Sequence, residues 1–141
     1  VVEQGIEARE IECAGLGNDE ANTSVVGEIV KTSGFYDYNE KYINNTVTLE
    51  IPAQISDEVS AKVREYSAKA FRAIDGSGLT RCDFFLTETN DIYINEVNTL
   101  PGFTQFSMYP LLWEKTGISY KDLVEELIQL ALKRYKDRQN G

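Results

Sequence analysis

Histidine is missing from all 141 residues of this chain. Ser-His-Asp and Cys-His catalysis are therefore closed, and two cysteines alone cannot complete a structural zinc site. Cys13 and Cys82 lie inside strand-like runs and read as buried thiols of a reducing compartment, so a cytoplasmic location is expected. Cationic side chains are also scarce. Fourteen Lys and Arg stand against 23 Asp and Glu, a net charge of −9, and there is no basic stripe to lay along phosphates. That balance argues against a nucleic-acid partner, though not against a nucleotide whose charge a divalent ion screens. No apolar run approaches the roughly 20 residues of a bilayer span, and no signal peptide is read. Neither a P-loop nor Gly-x-Gly-x-x-Gly occurs, which removes two routes to nucleotide binding. Val1 is not a methionine and strand-like sequence begins at once, so the chain reads as a piece cut from a longer polypeptide.

What is present is enough for one folded domain, with 42% hydrophobic and 11% aromatic residues. Residues 1–16 alternate loosely and predict a strand, closed by the turn Gly17-Asn18-Asp19-Glu20 and paired with a second strand over Ser24–Val30. Thr46–Ile51 predicts a short strand ended by Pro52. Asp57–Ile74 predicts a helix, capped by Ser56 or Asp57, with Val59, Val63, Tyr66, Ala70 and Ile74 as its apolar stripe. A short helix near Ser107–Lys115 should end at Gly117 as a left-handed cap. Ser119-Tyr120-Lys121-Asp122 opens a final helix with the stripe Leu123, Val124, Leu127, Ile128, Ala131 and Tyr135. Grouped strands with interspersed helices imply an α+β fold, mainly antiparallel, with helices on one face.

The most informative stretch runs from Leu79 to Thr104. Leu79–Phe85 and Ile92–Asn98 read as two strands of a hairpin. Alternation puts Arg81, Asp83 and Phe85 on one face of the first, and Ile94, Glu96 and Asn98 on one face of the second. With Glu88-Thr89-Asn90-Asp91 as a four-residue loop, Thr87 faces Ile92, Asp83 faces Glu96 and Arg81 faces Asn98. Opposed carboxylates repel, so a hard divalent ion between Asp83, Glu96 and Asn98 is one reading. An outward polar face on which Arg81 simply pairs Asp83 is the other. Arg81 could orient an oxyanion or carboxylate, or form an ordinary intrasheet ion pair. The turn Asn98–Thr104, running into Ser107, could present backbone N–H groups to a carboxylate around Gly102, or merely connect strand to helix. Gly34–Tyr42, with three tyrosines and Phe35, reads as a lid offering Lys41 to phosphate and Tyr42 to substrate, or as an aromatic cluster over a core edge. Val2–Ile6 with Glu10 could line a purine pocket or be scaffold.

Phe35-Tyr36-Asp37-Tyr38 through Lys41-Tyr42, Arg81-Cys82-Asp83, and Glu96-Val97-Asn98-Thr99-Leu100-Pro101-Gly102-Phe103-Thr104 together resemble the C-terminal half of the D-alanine–D-alanine ligase family of ATP-grasp enzymes. The resemblance implies that residues 1–141 are the C-terminal ATP-grasp domain of a longer ligase whose N-terminal and central parts are absent. It implies that Asp83, Glu96 and Asn98 hold two Mg2+ or Mn2+ ions on the ATP phosphates. Arg81 and the Gly102 backbone would stabilise the acyl phosphate and tetrahedral intermediates, with Ser107 and Met108 beside the second D-alanine. Lys41 would reach the γ-phosphate, and Tyr42 would help select D-alanine as acceptor. Glu3, Gln4, Ile6 and Glu10 would contact adenine and ribose, Gln4 through its backbone. The family's reaction makes D-alanyl-D-alanine for peptidoglycan, and its members pair as homodimers through the absent domain. This chain alone is then expected to be inactive. Rival readings are another carboxylate–amine ligase of the same fold, and a non-catalytic divalent-metal module using the aromatic loop as a contact surface.

Overall fold

Strand pairing begins at Arg9 rather than at Val1. The computed structural model describes residues 1–31 and 47–141. Within it, residues 1–8 carry no regular structure, so the strand expected from the first residue is eight residues shorter. The reason is partnership. β1 (Arg9–Gly17) pairs antiparallel with β4 (Gly78–Leu86) from Arg9↔Leu86 to Gly17↔Gly78, and β4 turns away after Leu86. Residues before Arg9 find no strand partner among the described residues. β2 (Ala21–Lys31) covers the other side of β1, and β3 (Val47–Glu50) pairs β2 at the sheet edge. β5 (Ile92–Asn98) flanks β4, giving one antiparallel sheet of order β3-β2-β1-β4-β5.

The helices fall where capping and glycine signals put them. α1 (Asp57–Ala73) starts from Ser56, whose Oγ accepts the Val59 N–H at 3.2 Å. α2 (Met108–Thr116) ends at Gly117, whose φ of 115° and N–H bonds to the Trp113 and Glu114 carbonyls close the last turn. α3 (Tyr120–Gln139) begins at Ser119, which accepts the Asp122 N–H at 3.2 Å. The buried face of α1 is Val59, Val63, Ser67 and Phe71, not the stripe through Tyr66 and Ile74, both of which are exposed. Ser67 escapes a hydrophobic reading. It fits because its Oγ donates back to the Val63 carbonyl at 2.9 Å. Of the stripe expected on α3, only Leu123 is fully buried, while Val124, Ile128 and Tyr135 stay exposed.

The α+β class and antiparallel sheet hold, but the helices occupy both faces. α1 closes one core over Ile11, Cys13, Val26, Cys82, Phe84 and Leu86. α2 and α3 close a second over Ala14 and Leu16, with Leu79 against it. Strict alternation along β1 and β4 explains this: each strand carries apolar residues on both sides, and both sides must be covered. On the α2 face the apolar residues of β1 stop at Ala14. Beyond it, Glu12 and Glu10 alternate outward on β1, and Arg81 and Asp83 on β4. That polar half-face is where the site forms.

Gly15 lets β1 lie close against Thr80 of β4 beneath the Phe71 ring of α1. A Cβ there would lie 2.6 Å from Thr80 Oγ1 and 3.5 Å from the Phe71 ring. Gly15→Ala should therefore cost about 1–3 kcal/mol in urea unfolding through overpacking. Gly5→Ala, with nothing within 4 Å of the added methyl, should leave the midpoint unmoved.

Candidate functional site

The expected register at the charged end of the hairpin is correct, by way of two compensating departures. Leu86 pairs Ile92, and Thr87 N–H bonds the Asp91 carbonyl at 3.0 Å, so the loop is one residue tighter in register than predicted. A bulge then absorbs Asn95 between Phe84↔Ile94 and Asp83↔Glu96. Past it, Asp83 faces Glu96 and Arg81 faces Asn98. Ile94 does not share the face of Glu96 and Asn98. It pairs Phe84 and lines a groove with Ile92 and Tyr66 on the α1 side, because one inserted residue reverses the alternation.

Arg81 is the centre. Its Nε donates to Asp83 Oδ1 at 2.8 Å and its Nη2 to Asp83 Oδ2 at 3.0 Å, a bidentate pair two residues apart on one face of β4. Glu12 Oε2, from β1, lies 3.2 Å from the same Nε, and Glu96 Oε1, from β5, lies 3.9 Å from Nη2. Three strands thus aim three carboxylates at one guanidinium, an excess of two negative charges once Glu12 is also ionised. The side chains of Arg81, Glu12 and Asp83 are 18%, 5% and 14% exposed, and that of Glu96 is 55% exposed. Hydrogen bonding to Asp83 holds Arg81 protonated even more firmly than usual. Glu12 is pushed up to about 7, first by burial and then by Asp83, against the pull of Arg81.

Glu12 is the residue that sequence reasoning missed. Its distance of two from Glu10 was a signal, since both must share a face of β1. Its importance comes from standing opposite Asp83, a pairing that joins strands far apart in the chain. Its burial follows from its other neighbour: Gly27 pairs Glu12 from β2, and Leu112 and Met108 of α2 sit over that glycine.

Other expected residues are distributed unevenly. Asn98 begins the following turn, its Oδ1 accepting the Leu100 N–H at 3.1 Å. Ser107 closes that turn: its Oγ accepts the Thr104 N–H at 3.0 Å, and a Cβ on Gly102 would come within 3.2 Å of it. Met108 packs its side chain into the α2 core rather than toward Arg81. Glu10 is on the cluster's face and pairs Lys31 at 3.1 Å. Glu3 and Gln4 are exposed and Ile6 half-buried in the irregular leader to β1. Lys41 and Tyr42 lie outside the described residues. Three aromatic residues hold the turn in place. Tyr120 donates to the Phe103 carbonyl at 2.7 Å, and the Phe103 ring packs at 5.4 Å from Tyr120 and 5.8 Å from Tyr109.

Among the described residues, no three His, Cys, Asp or Glu side chains close on a common metal position. The carboxylates converge on Arg81 instead. The donor chemistry nevertheless suits a hard cation. Mg2+ takes one or two carboxylates and completes its shell with water and phosphate oxygens, and the surplus charge here favours it. Cys82, pushed up to about 11 by burial, and Cys13, also raised by burial, are inert thiols on the opposite face.

The Glu12 shift carries a pH dependence with a definite sign. An acid whose folded pKa is raised keeps its proton in the native state while the unfolded chain loses it, so stability falls as pH rises from about 4.5 to about 7. Chemical unfolding of the metal-free chain across that window should show the wild type losing about 3 kcal/mol relative to Glu12→Gln. Parallel curves for the two proteins would contradict it.

The family described as "D-ala D-ala ligase C-terminus" matches residues 1–129. The D-alanine--D-alanine ligase of Enterococcus faecalis is 61% identical over 136 residues, covering 96% of this chain and 39% of that protein. Among solved structures, the D-alanine-D-alanine ligase from Coxiella burnetii superposes with a TM-score of 0.84 at 37% identity, over 98% of this chain and 36% of that one. The Bacillus anthracis D-alanine--D-alanine ligase complexed with ATP superposes at 0.80 with 25% identity, over 96% of this chain and 42% of that one. The chain thus spans about two fifths of the length of the relatives it matches. With the family match extending over the whole sheet, the Arg81 cluster and the first half of α3, this chain belongs to the D-alanine–D-alanine ligase C-terminal family, an ATP-grasp subdomain.

Proposed function

We propose that this chain is the ATP-binding, C-terminal part of a ligase that joins two D-alanines through an acyl phosphate. The supporting observation is Arg81, fixed on the sheet face by Asp83 and Glu12, opposite Asn98, which opens the turn leading to Gly102 and Ser107. Relatives of this chain bear the ligase name, and one neighbouring structure is an ATP complex.

In the first step a D-alanine carboxylate oxygen bonds to the γ-phosphorus of ATP and ADP leaves. In the second, the amine of another D-alanine attacks the acyl carbon, and the bond to the phosphate oxygen breaks. Both steps develop negative charge on oxygen with no covalent enzyme intermediate, which suits a site with no histidine and no reactive thiol. Arg81 supplies a fixed positive charge and two-pronged donor geometry to that oxygen. Backbone N–H groups about Gly102, and the Ser107 hydroxyl anchored by Thr104, orient the acceptor's carboxylate. Glu10 lines a groove of about 320 Å³ with Ile29 and Lys31, of a size suited to the nucleoside, and Glu3, Gln4 and Ile6 are assigned to adenine and ribose. Asp83, Glu96 and Asn98 would hold Mg2+ or Mn2+, which neutralises the triphosphate. Lys41 and Tyr42 are assigned to γ-phosphate and acceptor selection. The remaining length of a full ligase would bring the first D-alanine.

The test joins this chain, in place of the matching C-terminal segment, to the rest of the E. faecalis relative. That full-length ligase should release phosphate with ATP, Mg2+ and D-alanine, and poorly with D-lactate or D-serine, whereas the 141-residue chain alone should release none. Arg81→Ala in the full-length protein should lower kcat by about 100-fold or more. Full turnover by Arg81→Ala, or turnover by this chain alone, would overturn the assignment. Preference for D-lactate or D-serine would point to another acid–amine ligase of the same fold.

A further inference from the structure

The reading above gives Asp83, Glu96 and Arg81 tasks but leaves none for Glu12. Resting on that reading, we propose that Glu12 is a positioning residue: it is the counter-ion that holds Arg81 once Asp83 is engaged by a cation.

Both oxygens of Asp83 are spent on the guanidinium, Oδ1 on Nε and Oδ2 on Nη2. A carboxylate that gives lone pairs to a divalent ion is a poorer acceptor for the same fork. An arginine so released beside a triphosphate would follow the phosphates, unless something else anchored it. Glu96 is a weak anchor, 3.9 Å away, more than half exposed, and itself assigned to the cation. Glu12 has the opposite character. Its backbone is locked between β2 and β4, and its side chain is almost wholly buried. Its Oε2 lies 3.2 Å from Arg81 Nε yet has no hydrogen-bond partner among the described residues. The single Nε hydrogen explains both facts, because it points to Asp83 Oδ1 and leaves Glu12 with Coulomb attraction alone.

Such an oxygen is costly. A buried carboxylate short of a hydrogen bond destabilises the fold, and an apolar residue beside Gly27 and Leu112 would pack there without that cost. A fold that keeps the charge at this position gains an acceptor already in place for the Arg81 N–H when Asp83 turns to metal. The carboxylate touches neither substrate nor reacting atoms in this role. It acts through Arg81, keeping the guanidinium over the sheet face opposite Asn98, where the turn to Gly102 and Ser107 begins.

In the full-length ligase described above, Glu12→Gln should lower kcat about 10- to 100-fold while KM for ATP and the Mg2+ requirement stay unchanged. Glu12→Asp should restore part of the loss. Added to Arg81→Lys, Glu12→Gln should cost nothing more, since the two act as one unit. In the 141-residue chain, the Arg81 Nε–H resonance should persist when Mg2+ and a non-hydrolysable ATP analogue are added, and should be lost to exchange in Glu12→Gln. Three results would overturn the proposal: a fall in Tm with kcat intact, a raised Mg2+ requirement at unchanged kcat (Glu12 as a metal ligand), or additive losses in the double variant. Absence of dipeptide from the wild-type ligase would strike at the parent reading instead, and the resonance experiment would still decide the role of Glu12.

Discussion

One guanidinium organises the working half of this molecule. Arg81 receives a carboxylate from each of three adjacent strands, Glu12 on β1, Asp83 on β4 and Glu96 on β5. Like charges at these distances would drive the strands' side chains apart were the cation removed. With it in place, the surplus negative charge remains compact on the sheet face opposite Asn98, the residue that opens the turn. A site of this kind needs no nucleophile. What it offers is charge held in a fixed place, the requirement of the reaction proposed above.

The scaffold behind that charge is a sheet with a different task on each side. Toward α1 it is continuously apolar, from Ile11 to Phe84 and Leu86. Toward α2 and α3 it is divided. Ala14, Leu16 and Leu79 meet the helices, and the next outward positions are carboxylates. Glu12 stands on the boundary, which is why it is both charged and buried. The boundary lowers the local dielectric around Arg81 and so strengthens each of its pairings. The turn beyond Asn98 is tied into the second core by Phe103, clasped between Tyr109 and Tyr120. The turn's backbone and the apolar core are therefore continuous through a single side chain.

Much of this was legible in the order of residues, and the failures have physical causes. Alternation placed Arg81 and Asp83 on one face, and the caps Ser56, Ser119 and Gly117 set helix ends, because these signals act over a few residues. The facing of Asp83 and Glu96 was foreseen from a hairpin without a bulge. The bulge at Asn95 and the tighter loop cancel at that point, but not at Ile94, which turned to the other face. The stripe on α1 misled because Ser67, polar in composition, is satisfied by its own helix and disappears into the core.

Local chemistry along the chain was enough to specify strands, caps, the acidic hairpin and the family these belong to. Three-dimensional pairing alone brought Glu12 opposite Asp83, across a separation in sequence that no short-range pattern spans. It also divided the helices between the two faces and buried one carboxylate against Arg81. Periodicity reports which residues share a side of one strand. Which strand lies next to it, and what covers the side they share, depends on burying two separate apolar surfaces at once.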